Sequence, residues 1–246
     1  MASDPWRRRR RTAGDVGGAC HSTGMDASMH GTALIDQVVE RVRRDGWDTT
    51  DAPDLDTPVP LPPDVLTSLA LPDGRPLPPS LRRWLAFDAG WLAELGWYAD
   101  PARPDLRGGS LSAVVAGMFG FGSAERAWTE SFAAFETLLP GPCLPLFGGR
   151  DSRRFLYLGG EPDSHGEYPV LVADMDDIPY VGVEYPGLDV YLAAAAGLDF
   201  GLDAWDGPAE HSAYAGRMQE HAELTGLGAD GLEIHELYGA EGAEDL

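Results

Sequence analysis

The sequence predicts an α+β protein in which a small antiparallel sheet is followed by an amphipathic helix. Three short apolar runs are rich in β-branched and aromatic residues and are bounded by Gly, Pro, Asp and Ser. Such runs are typical of strands joined by turns. They cover residues 155–158, 169–173 and 180–185, and a Pro-containing apolar run at 142–149 leads into them.

The segment after the third strand changes its period from that of a strand to that of a helix. Leu188, Tyr191, Leu192 and Ala195 fall at i, i+3, i+4 and i+7, which places them on one stripe of a helix. Gly197 follows at the position where a helix commonly ends. The pattern therefore predicts a helix that packs its apolar stripe against the preceding sheet.

Further helical patterns lie on both sides of this region. In the first, Thr32 is placed to cap a helix that ends at Asp45 and Gly46. In the last, Tyr214, Met218 and His221 share one side of a surface helix, whereas His211, His221 and His235 are predicted on solvated faces. The predicted helices cover residues 32–44, 61–71, 81–89, 123–139 and 209–225.

Length and composition indicate a soluble protein with one main core. The chain has 246 residues, of which 43% are hydrophobic, enough to bury a core without disulfides or metal. A membrane span is not predicted, because the sequence contains no run of about 18 apolar residues. Cys20 and Cys143 stand far apart and outside any metal-binding spacing, which excludes a disulfide scaffold or zinc site and suits the reducing cytoplasm.

The charge balance is strongly acidic. All 18 basic residues are Arg, against 40 acidic residues, which gives a net charge of −22. Residues 1–24 hold five of the arginines and two of the acids, so from Met25 onward 13 basic residues face 38 acidic ones, a difference of −25. Such a surface repels nucleic acid and anionic lipid and attracts basic partners. The alternative is that the acidity only maintains solubility.

Three motifs, taken in their order along the chain, resemble a known family. The first is Leu77-Pro78-Pro79-Ser80-Leu81, with Trp84 and Leu85 at helical spacing before Gly90. The second is the Leu-Pro-Leu-Phe-Gly-Gly run at 144–149, and the third is Gly187-Leu188 with Tyr191-Leu192. Together with the strand at 155–158, this series resembles the Smi1/Knr4 family of the SUKH superfamily.

The resemblance implies a fold and a domain arrangement. It implies an antiparallel sheet with helices packed on one side, over residues 77–197. Outside that range, composition and helical pattern predict a disordered basic segment at residues 1–30, a helical extension and linker at residues 31–76, and an acidic C-terminal helix and tail at residues 198–246.

The resemblance also implies a function in binding and no catalytic residue or cofactor. Many bacterial members of the superfamily look like immunity proteins that neutralise a polymorphic toxin, often a nuclease or deaminase, by direct binding. The expected partner is therefore a cognate, basic protein toxin, and neither nucleic acid nor a membrane. Asp174, Asp176, Asp177 and Glu184 are the predicted contact residues, because carboxylates in and around the sheet can meet a basic groove.

Two other functions stay open at this point. One is a regulatory or scaffold protein that has no toxin partner. The other is a metal-dependent hydrolase that uses Asp174, Asp176 and Asp177. An EF-hand is excluded, because the twelfth position counted from Asp174 is Tyr185 instead of the required Glu. Turn formation explains the Asp cluster without a metal, so no metal site is predicted.

Overall fold

The computed structural model of the chain describes residues 29–47, 58–98, 106–119, 132–147, 152–174, 179–198, 212–228 and 230–233. The helices are α1 (Gly31–Asp45), α2 (Pro63–Ser68), α3 (Pro79–Leu85), α4 (Gly90–Glu94), α5 (Leu111–Phe119), α6 (Leu188–Ala195) and α7 (Ser212–Thr225), and residues 132–135 form a further helical turn. The strands are β1 (Cys143–Leu146), β2 (Ser152–Tyr157), β3 (Val170–Asp174), β4 (Tyr180–Tyr185) and β5 (Leu232–Glu233). The α+β class is confirmed.

The sheet is an antiparallel meander whose strands are arranged in chain order, β1-β2-β3-β4-β5. The three predicted strands are confirmed as β2, β3 and β4. Leu232 and Glu233, which lie in the predicted acidic C-terminal tail, form β5 and pair with Val181 and Tyr180. Two residues are too few to show a period in the sequence, and only pairing with β4 makes them a strand.

Helices cover part of each face of the sheet. Leu156, Leu158 and Val170 belong to the larger core cluster, which α1, α3 and α6 share. Phe155 and Tyr157, whose side chains alternate with those, belong to a second cluster. That second cluster also includes residues of α5 and of the segment 132–139. The expected helical layer is thus present on one face, and a smaller layer covers the other.

Helix α1 belongs to the main core. Leu34, Ile35 and Val38 are fully buried, and α1 packs against both α3 and α6. Helix α1 therefore contributes to the same core as α3 and α6. Gly46, with φ of 76°, ends the helix as predicted.

The outer edge of β1 is closed to further strand pairing. Gly109 exchanges two backbone hydrogen bonds with Cys143, of 2.8 and 3.1 Å. Pro145 has no N–H to offer, and its carbonyl oxygen accepts a 2.6 Å hydrogen bond from the Trp97 indole. These features protect the edge from pairing with another chain.

No helix in the part of the chain that the structure describes is both long enough and apolar enough to cross a membrane.

Candidate functional site

Two of the predicted contact residues lie on one face of the sheet. Asp174 ends β3 and is paired with Tyr180 on β4. Side chains two apart on a strand share a face, so Glu184, four residues after Tyr180, lies on the same face. Glu233 of β5 is paired directly with Tyr180, so its side chain lies on this face as well. We call this surface, made of Arg154, Asp174, Tyr180, Glu184 and Glu233, the acidic face. Asp176 and Asp177 lie outside the described residues.

Tyr180 is the centre of the acidic face. Its ring lies across Gly182 and Gly231, where a Cβ on either glycine would overlap the phenol. Its hydroxyl donates a 2.9 Å hydrogen bond to the carbonyl oxygen of Asp230. The two glycines therefore provide the space that holds the ring flat against the sheet.

Carboxylates surround the Tyr180 phenol. Burial raises the pKa of Tyr180, and four negative charges raise it further. Those charges belong to Asp230, Glu184, Asp174 and Glu233. Of the four, Glu233 and Asp230 were not predicted as contact residues, because they reach the face only through the pairing of β5 with β4. An aromatic ring with a rim of carboxylates is suited to a basic protein surface.

Glu184 has a different environment from the free carboxylate that the sequence predicts. Its Oε1 accepts a 2.5 Å hydrogen bond from Nη2 of Arg154, and the two side chains are 23% and 21% exposed. Burial raises the pKa of Glu184, and the charge of Arg154 opposes that rise. Its Oε2 is buried without a hydrogen bond from any described residue. Glu184 is therefore held in an ion pair with Arg154.

A second polar cluster is buried where α3, α6 and α7 meet the loop before β3. Arg217 of α7 is its only cation of fixed charge among the described residues. Its Nε donates a 2.6 Å hydrogen bond to Oδ2 of Asp163, and its Nη1 donates a 3.1 Å hydrogen bond to Oδ2 of Asp189. The Arg217 side chain is 6% exposed and the two carboxylates are fully buried. We call Asp163, Glu167, Asp189, Arg217 and His221 the buried cluster.

Two carboxylates of the buried cluster cap helices that are distant from them in the sequence. The residues at the N-caps of α1 and α3, His30 and Pro78, make no capping hydrogen bond through their side chains. Instead, Asp189 Oδ2 accepts the Gly31 N–H at 2.7 Å, and Glu167 Oε1 accepts the Ser80 N–H at 2.8 Å. The prediction that Thr32 caps α1 is therefore wrong.

The pKa values of the two loop carboxylates shift in opposite directions. Burial alone would raise the pKa of Asp163, but the neighbouring His221 imidazole and the charge of Arg217 hold it well below its usual range. Burial raises the pKa of Glu167 well above its usual range, the charge of Asp189 raises it further, and hydrogen bonds from Ser80 oppose the rise. The cluster thus favours a charged Asp163 and a protonated Glu167.

His221 is buried, and the prediction of a solvated histidine is wrong. Its side chain is fully buried and its Nε2 lies 3.4 Å from Asp163 Oδ2. A signal in the sequence could have indicated this. Arg217 is the single basic residue after Asp199, and Tyr214 and His221 lie at i−3 and i+4 from it. A lone cation on an otherwise apolar stripe indicates a buried ion pair.

The described residues contain no group of three His, Cys, Asp or Glu side chains placed to hold a metal ion. Cys143 is fully buried, and burial raises the pKa of its thiol.

Comparison with known proteins identifies a similar fold. No family model matches the sequence, and no curated protein matches it. The structure is similar to the crystal structure of an uncharacterized protein from Salmonella enterica subsp. enterica serovar typhimurium str. 14028s, with a TM-score of 0.53 and 16% sequence identity. The match covers 83% of this chain and 96% of the Salmonella chain. At this identity the similarity shows the fold alone.

Proposed function

We propose that this chain is a cytoplasmic binding protein of the SUKH type. In this proposal it neutralises a basic protein toxin, such as a nuclease or a deaminase, by direct contact through the acidic face. It acts by occupying the toxin, and it contributes no catalytic residue. The motifs shared with the Smi1/Knr4 family support the proposed class, and the charge and geometry of the acidic face support the proposed partner.

One observation carries the proposal: Tyr180 lies at the centre of a sheet face with four carboxylates around it. Arg154, the arginine of the acidic face, is paired with Glu184. Tyrosine is among the residues that contribute most to protein interfaces, since it brings a large rigid ring and a hydroxyl. The carboxylates around it would meet the arginines and lysines with which a nuclease holds phosphates.

The net charge of the chain supports the same partner. A body that carries −25 from Met25 onward attracts a cationic protein over distances of about 10 Å at moderate salt. We therefore expect fast association that slows as salt rises, with the short-range contacts made at the acidic face.

The test is a growth assay with co-expressed toxin. The chain is expressed together with any toxin-like protein that is encoded beside its gene, and rescue of growth is compared among variants. Tyr180→Ala combined with Asp174→Asn and Glu233→Gln should abolish rescue and the complex on size-exclusion chromatography. The control, Asp64→Asn on the exposed surface of α2, removes a negative charge away from the acidic face and should leave rescue unchanged.

Two outcomes would reject the proposal. Full rescue by the Tyr180 triple variant would show that the acidic face is not the contact surface. Absence of any toxic or basic partner, with growth unaffected by the chain, would favour a regulatory or scaffold protein that has no toxin.

A further inference from the structure

The three histidines among the described residues lie together around the buried cluster. His30 precedes α1, His165 lies in the loop before β3, and His221 lies on α7. The rings of His30 and His165 are in contact, with centroids 3.9 Å apart. Asp163 joins the other two positions: its Oδ1 accepts a 2.9 Å hydrogen bond from the backbone N–H of His165, and its Oδ2 lies 3.4 Å from Nε2 of His221. Because histidine ordinarily changes its charge between about pH 5 and 8, mild acid acts on this part of the fold.

The contact between His30 and His165 joins the start of α1 to the loop before β3. Directly after His30, the Gly31 N–H donates a 2.7 Å hydrogen bond to Oδ2 of Asp189. A Cβ added at Gly31 would lie 3.6 Å from Oε1 of Glu167, so the helix start also lies against the loop. His30 is exposed and His165 is half-buried. Solvent therefore reaches this pair of rings while the protein is folded.

The charged groups around the two rings come from the loop and two helices. They are Asp163 and Glu167 of the loop, Asp189 of α6, and Arg217, Glu220 and His221 of α7. The first turn of α1 has no acidic residue, and α3 contributes the neutral Ser80. Partial burial lowers the pKa of His30 below its ordinary 6.5, and the charges of His165 and Arg217 lower it further. Asp189 and Asp163 oppose this shift without cancelling it.

The lowered pKa of His30 gives the direction of the response to pH. The stability contributed by such a histidine is fully present above pH 6.5 and is lost as pH falls through its folded-state pKa. The physical reason is repulsion between like charges. Protonation of both rings places two positive charges on rings whose centroids are 3.9 Å apart, near the guanidinium of Arg217.

The two loop carboxylates respond to pH differently from the histidines. The pKa of Glu167 is raised, so its contribution to stability is lost as pH rises, which is the opposite direction. The pKa of Asp163 is lowered, so its contribution is lost only below pH 3.8. A loss of stability between pH 6.5 and about pH 5 is therefore the response expected of the histidines.

We propose that His30 and His165 form a pH-sensitive latch, which holds the start of α1 against the loop before β3 at neutral pH and releases it in mild acid. Release breaks the hydrogen bond between Gly31 and Asp189 and gives water access to the buried cluster, while the sheet stays folded. The latch does not depend on the function proposed for the acidic face.

The test is amide hydrogen exchange of the full-length protein, followed by NMR from pH 7.5 to pH 5.0. Protection is the measured exchange rate relative to the intrinsic rate at the same pH. Protection of the Gly31 N–H should fall by about tenfold over this range, since about tenfold corresponds to one unit of pKa difference. The Tyr157 N–H, which donates a 3.0 Å hydrogen bond to the carbonyl oxygen of Pro169 in the sheet region, is the internal reference and should keep its protection.

Three variants separate charge from packing. His165→Phe keeps an aromatic ring beside His30 but takes up no proton, so Gly31 should stay protected at pH 5.0. His165→Arg places a permanent positive charge beside His30 and should reduce the protection of Gly31 by about tenfold already at pH 7.5. The matched control, Thr67→Arg, adds the same charge at an exposed position on α2 and should leave Gly31 as protected as in the wild type.

Four results would overturn the latch. They are constant protection of Gly31 in the wild type, the same loss in His165→Phe as in the wild type, an equal loss at Tyr157, and equal protection in His165→Arg and Thr67→Arg. The second result would assign the response to another group, such as His221, and the third would show global unfolding. Circular dichroism at pH 7.5 confirms that each variant is folded, and His30→Phe is a second neutral variant with the same expected result as His165→Phe.

Discussion

Glu167 and Ser80 form a helix cap across 87 residues of sequence. Both the backbone N–H and the hydroxyl of Ser80 donate hydrogen bonds to the Glu167 carboxyl group, one to each of its oxygens. The carboxyl group belongs to the loop before β3, and Ser80 lies in the first turn of α3. One buried side chain thus fixes the start of a core helix relative to the sheet.

We predict that removing this cap destabilises the protein. Glu167→Ala should lower the free energy of unfolding by about 1 to 3 kcal/mol, because a buried backbone N–H and a hydroxyl lose their acceptor. Urea denaturation of Glu167→Ala, Ser80→Ala and the double variant measures the coupling. Additive effects of the two substitutions would contradict a direct cap.

The pH dependence of stability should carry opposite contributions from Glu167 and Asp163. The pKa of Glu167 is raised above its ordinary 4.5, so the stabilisation it provides is present below pH 4.5 and is lost as pH rises through its folded-state value. The pKa of Asp163 is lowered from 3.8, so its stabilisation is present above pH 3.8 and is lost as pH falls through its folded-state value.

Glu167→Gln isolates the first of these contributions. The amide stays neutral at every pH. The variant should therefore lose the part of the fall in stability toward higher pH that Glu167 causes, while it keeps the fall in stability at acid pH. Urea midpoints for wild type and variant across this pH range give the measurement. If the two curves stay parallel, Glu167 does not titrate with a raised pKa.

Arg217 should be the most sensitive position of the buried cluster. Arg217→Leu leaves Asp163 and Asp189 buried without their cation and should cost about 3 to 5 kcal/mol. Thermal unfolding compares this variant with Arg82→Leu, which removes an exposed arginine from α3. Adding Asp189→Asn to Arg217→Leu should recover part of the loss, because one buried charge is removed with its partner. A loss of stability no larger than that of Arg82→Leu would show that the buried cluster contributes little to the stability of the protein.

Gly187 should not tolerate a side chain. Its backbone is extended, with φ of 178°, so the constraint is space and not conformation. A Cβ there would overlap the Asp189 carboxylate and would lie 2.7 Å from Nη2 of Arg217. Gly187→Ala should therefore destabilise the protein by about 1 to 3 kcal/mol, whereas Gly216→Ala, in open space on α7, should not. Equal unfolding midpoints for the two would contradict this packing.

Much of the local structure was predictable from the sequence. The runs at 155–158, 169–173 and 180–185 are strands because their residues suit a pleated surface and their borders suit turns. The stripe from Leu188 to Ala195 is a helix that ends at Gly197, whose φ is 64°. The acidity of the chain is also a property of the sequence, and it constrains the partner whatever the fold.

Only the tertiary structure decided which residues make up the acidic face and the buried cluster. The sequence indicates Asp174 and Glu184 as similar carboxylates, but only strand pairing places Arg154 against Glu184 and brings Glu233 beside Tyr180. The sequence predicts His221 on the surface, but the packing of α7 over Asp163 buries it. The physical reason is the distance along the chain over which each kind of interaction acts. Periodicity and turn chemistry act over a few residues, whereas the ion pairs and distant helix caps join residues that are 28 to 158 positions apart in the chain and close only after folding.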